Sequence, residues 1–122
     1  MRLDVDIPVT NNPLVKEMYE SKYDVAFLDT DMLGVLTHVR DMVHKGHKLL
    51  THPLSGSVKP NETIYKTVLV SGACDSTDIQ SVNIIESSIS TAKKFPPKQI
   101  HEKNKNDMQL VDLSLIDFIL EN

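Results

Sequence analysis

The sequence predicts one small α/β domain, a three-layer fold in which helices flank a mainly parallel four-stranded sheet. Three observations predict it. Short aliphatic runs alternate with amphipathic stretches, the order that yields a sheet covered by helices. The run at 23–28, Tyr-Asp-Val-Ala-Phe-Leu, is nearly continuous in apolar residues, as suits a strand covered on both faces. Residues that start and stop helices stand where the periodic stretches begin and end. The elements read in the order β-α-β-α-β-β-α-α, and 122 residues suit a single domain.

Residues 5–9 form the first expected strand, with Pro8 suggesting an edge position or a strand end. Asn12 is a good cap and Pro13 a good first helical residue, so a short helix should run over 13–20. The second strand, 23–28, leads to Asp29-Thr30-Asp31, which offers caps for a second helix. Met32, Val35, Leu36, Val39, Met42 and Val43 form one helical stripe on it. His44 and Lys45 suit its last turn, and Gly46 suits the position just beyond. Residues 48–51 read as a third strand and 65–70 as a fourth. If the first and third strands are parallel, Thr10-Asn11-Asn12 and the 52–61 segment leave the same edge of the sheet. That is the edge where open α/β sheets bind ligands.

A third helix should follow Thr77, which has capping-box spacing to Gln80. Ile79, Val82, Ile85, Ile89 and Ala92 make its expected buried stripe. Phe95-Pro96-Pro97 ends that pattern. The expected organisation is an α/β core over 1–95, a polar connector over 96–107 and a C-terminal helix over 108–122. That last helix is apolar on most sides, interrupted by Gln109, Asp112, Ser114, Asp117 and Glu121. It is expected to pack on the core or on a partner subunit, which would make the protein a homo-oligomer.

Composition narrows the function. The net charge of -4 speaks against general nucleic-acid binding. No run approaches the ~20 apolar residues of a membrane span. Asp4 and Asp6 so near the start oppose a signal-peptide core, and the lone Cys74 cannot form an internal disulfide. The expected location is the cytoplasm, with no membrane and no nucleic acid as partner. Charge is uneven, however. Between His38 and Lys59 four cations, Arg40, Lys45, Lys48 and Lys59, stand against one acid, Asp41. One positive segment on an acidic chain suggests a local anion site.

The candidate site is the 52–61 loop with the asparagines of the first turn: Asn11, Asn12, His52, Ser55, Gly56, Ser57, Lys59 and Asn61. Gly56 permits a tight turn that exposes backbone N–H groups. The Ser55 and Ser57 hydroxyls add donors, and Lys59 adds charge. The spacing is neither that of a P-loop nor of a nucleophile elbow. An ordered loop that merely joins two strands is the plain alternative. His38, His44, His47 and His52 show no metal-ligand spacing, so neither metal nor cofactor is expected. His52 alone could bind an anion, move a proton or bond its own loop. Cys74, near the expected start of the third helix, reads as inert packing rather than a reactive thiol. Asp29 and Asp31 are explained by helix capping.

Two stretches carry a family resemblance. One is Thr10-Asn11-Asn12-Pro13-Leu14-Val15. The other runs from Val39-Arg40-Asp41 through His44-Lys45-Gly46-His47-Lys48-Leu49-Leu50-Thr51-His52-Pro53-Leu54-Ser55-Gly56-Ser57-Val58-Lys59-Pro60-Asn61-Glu62-Thr63 to Tyr65-Lys66. Together they resemble the GrdX family, small proteins encoded beside glycine, sarcosine or betaine reductase genes in amino-acid-fermenting anaerobes. The resemblance covers about half the chain. It departs at Ile64, where a proline is expected before Tyr65-Lys66, and no family motif is recognised after Phe95. It implies an accessory role in reductase operons, and it implies no reaction. Three readings therefore stand. In the first, the protein binds a small anionic metabolite or a reductase subunit through the 52–61 loop. In the second, it is a small enzyme acting on a phosphorylated or acyl metabolite, with His52 as acid/base and Lys59 as anion clamp. In the third, it assembles through the C-terminal helix.

Overall fold

The computed structural model describes residues 6–55, 64–94 and 102–121. Three strands and four helices follow in order: β1 (Ile7–Thr10), α1 (Pro13–Tyr19), β2 (Ala26–Phe27), α2 (Met32–His44), β3 (Thr67–Val70), α3 (Ile79–Lys93) and α4 (Glu102–Leu120). The sheet order is β2-β1-β3, with β1 parallel to β2 and antiparallel to β3. The sheet is thus mixed and three-stranded, not mainly parallel and four-stranded. Residues 48–51, expected as a full strand, make one antiparallel bridge, Leu49 to Val70, on the outer side of β3. The reason lies in the connection. A parallel neighbour needs a crossover, and no described helix lies between residues 48–51 and β3. Being antiparallel to β3, this segment runs in the same sense as β1, with β3 between them. Its carboxyl end therefore leaves the edge that β1 leaves.

Pro8 lies in the central strand rather than at an edge. The Thr10 carbonyl accepts from Leu28 N–H at 2.8 Å, so the even residues of β1 direct their backbone groups towards β2. Pro8, two residues earlier, has no N–H to give on that side, and the pairing with β2 begins only at Val9. A short β2 is what lets a proline occupy the middle of the sheet.

Alternation along β1 and β3 sorts two cores. Val9, Val68 and Val70 face α2 and α3, packing with Val35, Leu36, Val39, Val43, Ile85 and Ile89. Leu69 points the other way, against Val15 and Tyr19 of α1 and Leu113 and Ile116 of α4. Helices thus cover both faces. The helix starts are specified locally. Asn12 accepts from Leu14 N–H, Asp31 from Gly34 N–H, and Asp78 from Ser81 N–H. The third of these moves the cap from Thr77 to Asp78, which places Ile79 at the first turn. Ile79 is 68% exposed instead of buried. α4 begins at Glu102, before the expected Met108. Among the described residues, no helix is long and apolar enough to cross a membrane.

Gly46 ends α2 with φ 115°, a left-handed conformation. A Cβ there would overlap the carbonyl oxygen of Asp75, whose N–H donates to the Gly46 carbonyl at 3.1 Å. Gly46→Ala is therefore expected to destabilise the fold by about 2–3 kcal/mol, combining backbone strain with a clash against main chain. Urea denaturation of the variant and the wild type measures it; equal midpoints would contradict this account of the turn.

Candidate functional site

The carboxyl edge of β1 carries a buried polar cluster. Thr10 and Thr67 face each other across the β1–β3 ladder, and their hydroxyls bond at 2.8 Å. The Thr67 hydroxyl also donates to Asp112 of α4 at 2.7 Å, and Thr67 N–H reaches the same carboxylate at 3.2 Å. Asn12 donates from Nδ2 to Asp112 at 3.0 Å and to the Gln109 carbonyl at 3.0 Å. Asp112 is only 7% exposed, so these three donors replace the water it has lost. Gln109 in turn donates to the Tyr65 hydroxyl at 3.1 Å.

Asn11 holds the loops together. Its Nδ2 donates to the carbonyls of Thr30, at 2.9 Å, and Ile64, at 2.6 Å, while its Oδ1 accepts from Lys66 N–H at 2.9 Å. Both N–H groups of each asparagine are thus spent within the protein. Asn11 and Asn12 act on the edge by fixing the segments that meet there. Lys66 closes the far side. Its ammonium is buried and donates to the Ser55 carbonyl, joining the two described ends of the stretch that contains the candidate loop. Thr51, Ser55, Lys66, Thr67 and Asp112 line a small cavity of about 20 Å³, closed by Leu115 and Ile119 of α4. That is room for about one water.

Burial pulls the Lys66 ammonium down from its ordinary 10.5 to about 8, and the Asp112 carboxylate opposes the fall. Tyr19, buried and donating to Asp117, is pushed well above the ordinary tyrosine range.

The remaining candidates separate. His52 is exposed, and its Nδ1 accepts from Leu54 N–H at 3.1 Å. It opens onto a groove of about 490 Å³ along α3, on the face of the sheet opposite the Lys66 cavity. The structure therefore does not bring His52 and Ser55 to one pocket. Gly56, Ser57, Lys59 and Asn61 lie outside the described residues. A third hollow, about 450 Å³, opens past β2 and is lined by Asp29, Thr30, His38 and Asp41. Asp31 caps α2, while Asp29 faces this hollow. The other histidines scatter: His44 lies 3.4 Å from Glu86, and His47 Nδ1 donates to the Ser71 carbonyl at 2.7 Å. Among the described residues no three His, Cys, Asp or Glu side chains gather as metal ligands. Cys74 is exposed in the turn before α3, where its thiol donates to the Lys45 carbonyl at 2.9 Å, so it does not pack in the core.

Lys66, Thr67, Gln109 and Asp112 were not singled out from the sequence as site residues. A signal for two of them existed. Asp112 interrupts the apolar sweep of the last helix, and Lys66 sits at the head of an aliphatic strand.

The family model for GrdX-like protein matches residues 7–121. The chain belongs to the GrdX-like family. The match to GrdX-like protein runs past Phe95 and through α4, so the helix that supplies Asp112 is part of the family pattern and not an appendage. No curated protein and no solved structure matches the chain.

Two expectations follow. Asp112→Leu strands Thr67, Asn12 and the Lys66 charge, and should cost about 3–5 kcal/mol in chemical denaturation; a loss below 1 kcal/mol would mean the cluster is dispensable. For Lys66, the unfolded chain holds its proton up to about pH 10.5 while the native amine releases it near 8. Between those values the unfolded state binds more protons, so stability rises with pH, by about 3 kcal/mol over the whole window. Tyr19 works in the opposite sense only above its ordinary range, near 10. Denaturation at pH 7.5 and 9.5 should show the rise in wild type and a flat response in Lys66→Met.

Proposed function

We propose that this GrdX-like protein is a binding protein, accessory to glycine or betaine reductase systems, that takes a small anionic metabolite or a reductase subunit through the 52–61 loop. The observation that carries the reading is the clamp beneath that loop. Lys66 grips Ser55 on one side, and Asn11 holds Ile64 and Lys66 on the other. The described residues on either side of that loop, Ser55 and Ile64, are thus both held by hydrogen bonds to buried side chains. The loop also leaves the carboxyl edge of β1, the usual ligand edge of open α/β sheets. Within the loop, Ser57, Lys59 and the backbone around Gly56 supply anion donors. Asn11, Asn12 and Asn61 flank it, and His52 and Ser55 begin it. The reductase association rests on the family resemblance of the 44–66 run, and the cytoplasm is where such a partner would be met. The two-part organisation, a core over 1–95 with a C-terminal helix after a connector, belongs to the same reading.

An enzymatic reading, with His52 as acid/base, keeps one specific support: His52, its Nδ1 accepting from Leu54 N–H, lines an open groove.

A thermal-shift screen against phosphate, acetyl phosphate, glycine, betaine and nucleotides tests the binding reading. A ligand that binds only the native state raises Tm with concentration. The expected result is a rise in wild type that Lys59→Ala abolishes. Equal responses from wild type and Lys59→Ala would remove the loop lysine from the site, and a flat screen would move the test to binding of purified reductase subunits.

A further inference from the structure

The groove beside His52 is made differently from the loop. Asn83, Ser87 and Thr91 stand four residues apart along α3, so they form one row on one face of the helix. Leu54 and Ile84 supply apolar wall. Among the described residues no Lys, Arg, Asp or Glu lines the groove, and its volume of about 490 Å³ falls in the range of small-molecule sites. The imidazole is oriented by its own loop. Because Nδ1 accepts from Leu54 N–H, the neutral ring carries its proton on Nε2. His52 therefore offers a donor with a fixed tautomer, and the hydroxyls and amide of α3 offer more.

We infer that this groove is a binding site for a short-chain carboxylate, its carboxylate accepting from His52 Nε2–H, Asn83 and Ser87, and its alkyl chain lying on Leu54 and Ile84. The inference rests on the proposed function and deepens it, since it gives the anionic ligand a class and places its carboxylate beside His52 at the start of the loop. A monoanion fits because the described lining offers neutral donors. A phosphate dianion would lose more hydration than such a lining returns. The apolar wall adds what a bare inorganic anion cannot use.

Butyrate and inorganic phosphate, titrated into the full chain at matched ionic strength and followed by amide chemical shifts, test the assignment. Saturable shifts with butyrate at 52–54 and along 83–91, absent with phosphate, are expected. Binding should weaken at least about tenfold in His52→Phe and in Ser87→Ala, the scale of one lost hydrogen bond. Butyrate binding that survives His52→Phe and Ser87→Ala in folded protein overturns the groove. So does the absence of saturable shifts in the groove. If phosphate binds instead, and Lys59→Ala abolishes it while His52→Phe does not, the groove falls and the loop reading stands. If butyrate binding needs His52 and ignores Lys59, the groove stands and the loop lysine leaves the site.

Discussion

The Asp112 carboxylate is the constraint on which the carboxyl edge of this sheet depends. It comes from the last helix, more than forty residues after Thr67 and a hundred after Asn12, and it accepts from both. A carboxylate this deep is destabilising alone, so α4 can dock only where those donors converge. Apolar contacts through Leu113 and Ile116 supply area, but area is tolerant of sliding. Three directional bonds fix register along the helix axis. They also fix the Thr67 backbone, and with it the start of β3. Among the described residues every buried side-chain nitrogen and oxygen has a partner, so the cluster behaves as a completed network.

From that fixed point the clamp on the loop follows. Thr67 is held, so Lys66 beside it is held, and its ammonium reaches the Ser55 carbonyl. Keeping a cation there is costly, as its lowered proton affinity shows. The cost is tolerable because Asp112 lies nearby to offset it. Asn11 completes the arrangement from the other strand. Its amide joins two separate segments to the turn after β1, one at Thr30 and one at Ile64 and Lys66.

Much of this was legible in the chain. The helices over 13–19 and 32–44 are marked by Asn12-Pro13, by Asp31 and by Gly46, all local signals that tertiary packing leaves intact. The α2 stripe and the buried positions of α3 past its first turn follow from periodicity. What was not legible depended on pairing partners. A run such as 48–51 carries strand propensity without saying which neighbour it meets or in what direction, and here β3 intervenes between it and β1. Pro8 reads as an edge residue because the shortness of β2 is invisible locally. The polar cluster was half visible. Asn11 and Asn12 stand out in a turn, but Asp112 is one acid among several in the last helix. Only the fold shows that it points inward while Asp107 and Glu121 do not.

The division of the 51–55 segment between two faces has a further consequence for recognition. Ser55 joins a cavity too small for a metabolite, walled by charged and apolar groups that already satisfy one another. His52 looks onto a roomier groove whose polar groups are neutral. The positive charge of the 38–59 segment acts differently from either. Arg40, Lys45, Lys48 and Lys59 lie on an otherwise acidic chain, and charge of that kind raises the local concentration of anions over distances of about a Debye length. Steering needs only net charge, whereas selection among anions needs donors at fixed positions and a wall that distinguishes a methyl group from water. A groove whose described lining is neutral, near a positive segment, combines the two, while Lys66, the deeply placed cation among the described residues of this edge, is already committed to Ser55.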